Sequence, residues 1–208
     1  MPDTPAPICK AATDALRVLL VDDGAHRVDL IRDELTKQGH LVVGVVDSAV
    51  TLHESVLALK PDVVIVDAES PTRDTLEHLA TLSSRLPRPV VVFAEDEADD
   101  LIRLAMAAGV SAYVVAGLQP RRIAPVLRVA IARFQQDAAL RRQLSEAQDA
   151  LSSRKLVERA KGILQRTRGI GEDDAHRLLR KLAMDRGLKL EQVAQQVLAA
   201  ADLLAPPG

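Results

Sequence analysis

Five short β-branched and aliphatic runs recur through the first 116 residues: Arg17–Val21, Leu41–Val46, Asp62–Val66, Pro89–Phe93 and Ala112–Val115. Each is nearly continuously apolar, which is the pattern of strands covered on both faces. Between them lie segments with helical spacing: Val28-Leu30-Ile31-Leu35, Leu52-Val56-Leu59, Leu76-Leu79-Leu82 and Leu101-Leu104-Ala105-Ala108. Gly39 and Gly109 stand where helix C-caps are expected. Strand–helix alternation repeated five times predicts a doubly wound parallel sheet. Sites in such sheets form at the carboxyl ends of the strands.

From Pro120 onward no strand-like run appears. Arg121 to about Arg168 contains neither Pro nor Gly except Pro125 and Gly162, so a long helix is expected. Pro125 falls in its first turn or so, where proline is tolerated. Leu140, Leu144, Ala147 and Leu151 are spaced 4-3-4, a short coiled-coil-like seam within a connector over residues 119–150. That seam could pair two copies or pack on its own domain. After the Gly169–Gly171 break, Glu172, Asp173 and Asp174 place acids on the first turn of a new helix, complementing its dipole. Gly187 ends that helix, and Leu190 to about Leu204 makes another. Three helices in so short a stretch predict a small all-α bundle over residues 145–204.

Charge divides along the same boundary. Residues 117–208 carry 17 Lys+Arg against 10 Asp+Glu, a net of +7, whereas residues 1–116 carry a net of −9. The overall charge of −2 hides the split. A basic helical end on an acidic body suggests an output module for a polyanion, driven by an input module. The aromatics are Phe93, Tyr113 and Phe134, so base stacking in the tail would fall to His or Arg. Cys9 stands alone in a Pro-rich leader, read as flexible over residues 1–15, so no disulfide can form within the chain. No signal-peptide pattern and no apolar run near the ~20 residues of a membrane span are found, which points to the cytoplasm. No nucleophile–base pair, metal-ligand spacing or Gly-rich phosphate loop suggests an enzyme.

Asp22 and Asp23 end the first run and Asp67 the third, so three carboxylates are expected at one rim of the sheet. Such an oxygen cluster suits a hard cation like Mg²⁺. The pattern resembles the flavodoxin-like receiver domain of two-component response regulators, over residues 16–118. The resemblance implies that Asp67 matches the phosphoacceptor and that Asp22 and Asp23 help hold Mg²⁺. Two positions depart from that family. PVVVFAED has Ala94 where the family carries Ser or Thr, and AYVVAGL has Ala116-Gly117 where it carries Lys-Pro. A phosphoaspartate would lose both its lysine partner and the hydroxyl that couples it to the fourth-strand loop. The receiver is therefore expected to act mainly as a protein-interaction surface that requires no cofactor.

In KLVERAKGILQR, Leu156, Ala160, Ile163 and Leu164 share one helical face, with Lys161 at its border. In the next helix Ala175, Leu178, Leu179 and Leu182 face inward, and His176–Arg180 and Arg177–Lys181 are i, i+4 neighbours. RKLVERAKGILQRTRGIGEDDAHRLLRKLAM resembles the ANTAR output domain, an RNA-binding three-helix module of transcription antiterminators, and the whole chain is similar to the nitrate-responsive NasT-type antiterminators. The resemblance implies binding to leader-mRNA stem–loops, control by a nitrate- or nitrite-sensing regulatory protein, and action as a homodimer on RNA. Phosphate contacts are expected from Lys155, Arg159, Lys161, Arg168, Arg177, Arg180 and Lys181. His176 stands where the family often has Tyr or Phe, and either stacks on a loop base or spaces two helices. The competing readings are a phosphorylation-driven DNA-binding response regulator and a signalling scaffold that binds only proteins.

Overall fold

A computed structural model describes residues 15–22, 28–48, 51–68, 70–115, 117 and 119–204. The Pro-rich leader with Cys9, and Asp23 and Ala116, lie outside the described residues. The chain divides into two compact units, Met1–Ala138 and Ala139–Gly208.

The first unit contains β1 (Arg17–Asp22), α1 (Val28–Lys37), β2 (Leu41–Val46), α2 (Leu52–Leu59), β3 (Val63–Ala68), α3 (Arg73–Arg85), β4 (Val90–Ala94), α4 (Asp99–Ala107) and β5 (Ala112–Val114). The strands form one parallel sheet in the order β2-β1-β3-β4-β5, the doubly wound arrangement expected from the sequence. Alternate residues of each central strand feed opposite cores. Val18, Leu20, Val63, Ile65, Val91 and Phe93 pack with Ile31 and Leu35 of α1. Leu19, Val21, Val64, Val66, Val90 and Val92 pack beneath α2, α3 and α4. Burying each such side chain stabilises the fold by ~1.5–3 kcal/mol, which is why these strands read as unbroken apolar runs.

Strand ends differ slightly from the sequence pattern. Asp62 precedes β3, and its Oδ2 accepts a 2.8 Å hydrogen bond from the Arg17 N–H. β5 stops at Val114, one residue short of the apolar run.

The next helix, α5 (Pro120–Arg168), is unbroken, so the expected connector and the first bundle helix are one element. Gly162 lies inside it at the usual cost of ~1 kcal/mol relative to Ala. Ile123, Leu127, Ala130 and Ile131 of α5 complete the core shared with α1. Further along, Ala160 and Leu164 of the same helix join Ala175, Leu179 and Ala183 of α6 (Glu172–Arg186), and Val193 and Ala194 of α7 (Leu190–Leu204). Leu156, Leu178 and Leu182 pack against this second core, so most of the expected inward face is confirmed. Among the described residues, no helix is long and apolar enough to cross a membrane.

Two glycines with left-handed backbone separate strain from space. Gly39 has φ +81° and nothing near the position of an added Cβ. Gly109 has φ +86°, and an added Cβ would lie 2.8 Å from the Ser83 Cβ. Gly39→Ala should cost ~1–2 kcal/mol from backbone strain alone. Gly109→Ala should cost ~1–3 kcal/mol more, because Ser83 must move. Denaturant midpoints of the two variants check the difference, and equal losses would contradict it.

Candidate nucleic-acid interface

The helical unit carries its expected contact cations on α5 and α6. Lys155, Arg159 and Arg168 of α5 are exposed, as are Arg177, Arg180 and Lys181 of α6. These side chains project because the apolar positions between them are turned into the bundle core. Arg177 pairs with Asp174 one turn earlier, and that carboxylate holds the guanidinium above its ordinary range. Both partners are well exposed, so the pair contributes little to stability and leaves Arg177 available to another anion.

Lys161 departs from the expected set. Only 7 % of it is exposed. Its Nζ donates to Glu172 Oε1 at 2.7 Å and to Glu158 Oε1 at 2.9 Å. The Glu172 carboxylate, and then Glu158, hold the ammonium above its ordinary range, and Lys161 in turn depresses Glu172. A lysine enclosed by two carboxylates is poorly placed to meet a phosphate. Its geometry is that of a tie between α5 and the first turn of α6, across the glycine break. The helical wheel placed it at the border of the apolar face, but its second partner lies beyond Gly171 and had no local signal.

His176 is half-buried and lines a cleft of about 440 Å³. Ser153, Arg154, Val157 and Glu158 of α5 form one wall, and Lys189, Leu190 and Glu191 at the start of α7 form another. The Ser153 hydroxyl donates to Glu191 Oε2 across the two helices. The Lys189 N–H donates to Gln192 Oε1 at 2.9 Å, fixing the turn into α7. Arg154, Lys189 and Glu191 were not among the expected site residues. Their basic and acidic character was visible, but their convergence depends on how three helices pack.

In the first unit, the β1–β3 register places Asp22 directly opposite Asp67 at the carboxyl ends of adjacent strands. Both are buried, at 5 % and 2 % exposure. Asp22 also lines an open cleft of about 700 Å³ together with Asp29, Arg32 and Asp47. Two adjacent carboxylates, one of them lining an open cleft, supply the hard oxygen donors that suit a divalent cation. Asp23, the third expected ligand, lies outside the described residues, and among the described residues no group of three metal-ligating side chains is found.

Ala94 ends β4 fully buried, and its carbonyl accepts a 2.9 Å hydrogen bond from the Gly117 N–H. The adjoining loop is organised by Asp96. Its Oδ1 accepts from the Ala98 N–H at 2.9 Å and its Oδ2 from the Ser70 hydroxyl at 2.8 Å. Those two bonds hold the Asp96 carboxyl below the usual range. Tyr113 of β5 donates its hydroxyl to the Asp96 carbonyl at 3.1 Å. Burial, and then the Asp96 charge, push the phenol upward.

Comparison with known proteins divides the chain along the same lines. The response regulator receiver domain matches residues 18–128 and the ANTAR domain residues 145–198. The transcriptional regulatory protein PdtaR of Mycobacterium tuberculosis is 35 % identical over 183 residues, covering 88 % of this chain and 89 % of that protein. The nitrate regulatory protein of Klebsiella oxytoca is 36 % identical over 78 residues, 38 % of this chain and 19 % of that one. A signal receiver domain of a modulated diguanylate cyclase from Desulfovibrio desulfuricans G20 superposes with a TM-score of 0.53 at 22 % identity. It covers 60 % of this chain and 99 % of that domain, which supports the fold alone.

The two roles available to Lys161 are separable by experiment. Lys161→Met should lower the melting temperature yet leave the salt slope of RNA binding unchanged, whereas Arg159→Ala should lower that slope by about 1. Glu172 is depressed in the folded state, so its contribution is present above the ordinary glutamate pKa of about 4.3 and is lost as pH falls through the folded value. Lys161 is raised, so its contribution disappears only as pH rises through a value above about 10.4. The melting difference between Lys161→Met and the parent should therefore be steady near neutrality and shrink as pH falls through the depressed Glu172 value. A difference that stays constant into acid would remove the ionic tie.

Proposed function

Because this chain belongs to the response regulators that join a receiver domain to an ANTAR domain, we propose that it is an RNA-binding transcription antiterminator. It would act by holding a leader-mRNA stem–loop and so disfavouring the terminator. The observation that carries this reading is the exposure of six of the expected cations on two helices of one bundle, with the half-buried His176 lining a cleft in that bundle. Cations meet phosphates without regard to sequence, whereas a half-buried ring can read an unpaired base.

Nitrate or nitrite assimilation genes are the proposed targets, supported by likeness to the Klebsiella nitrate regulatory protein over part of the chain. The regulator would be held and released by a sensor protein in the cytoplasm. Leu140, Leu144 and Leu151 are 55 %, 59 % and 55 % exposed, which supports a homodimer on RNA through the expected seam. Phosphorylation is not the proposed switch. Asp22 and Asp67, with Asp23 by resemblance, would hold Mg²⁺, and the ion would neutralise an anion bound at Asp67. Ala94 has only a methyl group, so it can offer no hydrogen bond to a phosphoryl oxygen.

Hairpin RNA from the leader of the adjoining operon should bind in a filter assay, and duplex DNA should fail to compete. If these six cations alone meet phosphates, log K should fall with log salt at a slope of about −4 to −5. His176→Ala should cost ~1–3 kcal/mol of affinity without changing the melting temperature. DNA displacing the RNA would favour the DNA-binding alternative, and a flat salt response would leave only a protein scaffold.

Acetyl phosphate with Mg²⁺ should leave hairpin affinity unchanged, and so should Asp67→Asn. Stoichiometric modification of Asp67 accompanied by a change in affinity would restore phosphorylation as the switch.

A further inference from the structure

The cleft at the junction of α5, α6 and α7 has a chemistry that the surrounding basic surface lacks. At about 440 Å³ it falls within the ~300–1,000 Å³ range of small-molecule sites, which leaves room for a nucleobase. Val157 and Leu190 give it an apolar surface and His176 a ring, which suit the face of a base. Arg154 and Lys189 line it as well, which suits the phosphates flanking an extruded nucleotide. A basic surface built only for phosphates would exclude carboxylates, yet Glu158 and Glu191 line the same cleft.

The carboxylates discriminate among bases. An ionised carboxylate only accepts hydrogen bonds, and its two oxygens take two parallel donors. The Watson–Crick edge of guanine presents two adjacent donors, N1–H and the 2-amino group. Adenine presents one donor beside an acceptor, cytosine one donor beside two acceptors, and uracil one donor between two acceptors. Each of those acceptors would face a carboxylate oxygen unfavourably. In an unpaired loop the Watson–Crick edge is open to such readout. Of the two acids, Glu158 already accepts from Lys161 through Oε1. Glu191 is half-buried and is oriented by the Ser153 hydroxyl through Oε2. Each carboxylate oxygen has two lone pairs, so that bond still leaves both oxygens able to accept.

We infer that this cleft is a subsite for one extruded guanine, with Glu191 reading N1–H and the 2-amino group, His176 and Val157 contacting the ring, and Arg154 and Lys189 meeting adjacent phosphates. The inference rests on the RNA-binding reading and deepens it. An acidic or phosphorylated protein segment fits less well, because it would meet two carboxylates.

The test titrates the full chain with guanosine, inosine, adenosine, cytidine and uridine 5′-monophosphates, and follows backbone amide shifts by NMR. Guanosine monophosphate should move the resonances of Val157, His176 and Glu191 and bind about tenfold more tightly than inosine monophosphate, which lacks the 2-amino donor. Glu191→Gln should abolish that preference. Equal affinities, shifts confined to other residues, or a preference that survives Glu191→Gln would each overturn the subsite. The guanosine–inosine comparison uses the unaltered protein, so it decides the matter even if the variant fails to fold. Hairpin binding is measured on the same sample. Hairpin bound without a guanine preference overturns the subsite alone, whereas a guanine preference without hairpin binding overturns the RNA reading and leaves a guanine-nucleotide site.

Discussion

A parallel sheet buried on both faces needs helices on both, and that requirement organises this chain. α2, α3 and α4 cover one face of the sheet. α1 and the first three turns of α5 cover the other. Without Ile123, Leu127 and Ala130, the side of the sheet holding Phe93 and Ile65 would lie partly open to water. The same helix later supplies Ala160 and Leu164 to a second core. One element thus contributes to two hydrophobic clusters, and its unbroken sequence between Pro125 and Gly162 is what permits this.

The second core is built largely from small residues. Ala160, Ala175, Ala183 and Ala194 are buried there, and alanine contributes much less apolar area than leucine or phenylalanine. Close helix approach compensates through packing density. The enclosed Lys161 lies where α5 meets α6, bound to a carboxylate on each helix. Its position explains how a basic module keeps one cation for itself while presenting the others. It also places the first-turn acids of α6 in a new light. Glu172 complements the helix dipole, as its position in the sequence indicates, and at the same time anchors the preceding helix.

The fold was legible because continuous β-branched runs carry a strong period signal, and the five strands emerge within one or two residues of their expected bounds. Asp67 and Asp22 were legible as strand-end acids, and the register brings them together. The fate of Lys161 was not legible. Helical periodicity assigns a face but does not identify which residues of another helix will meet it. The cleft beside His176 was hidden for the same reason, since Arg154, His176 and Glu191 are far apart in sequence and converge only after three helices pack. The Asp96 network was also missed. Its local part, an aspartate accepting from an N–H two residues on, follows from turn chemistry, but the bonds from Ser70 and Tyr113 are tertiary.

That network bears on how the receiver can respond. A switch requires an element with two arrangements and a ligand that prefers one of them. In this chain the loop after β4 is bonded to Ser70 on one side and Tyr113 on the other through Asp96, without any contribution from Ala94. A phosphoryl group on Asp67 would find no hydroxyl on the Ala94 side chain at the end of β4. A protein partner differs in kind, because it can grip backbone, apolar surface and charge at several points at once. The edge strand β2 and the helix beside it leave Leu41, Val45 and Leu57 substantially exposed. Surface of that type gives a partner the differential contacts that a single phosphate at this pocket lacks. The departures at Ala94 and Ala116-Gly117 remove two handles on a phosphate, and this supports the proposed control by a protein partner.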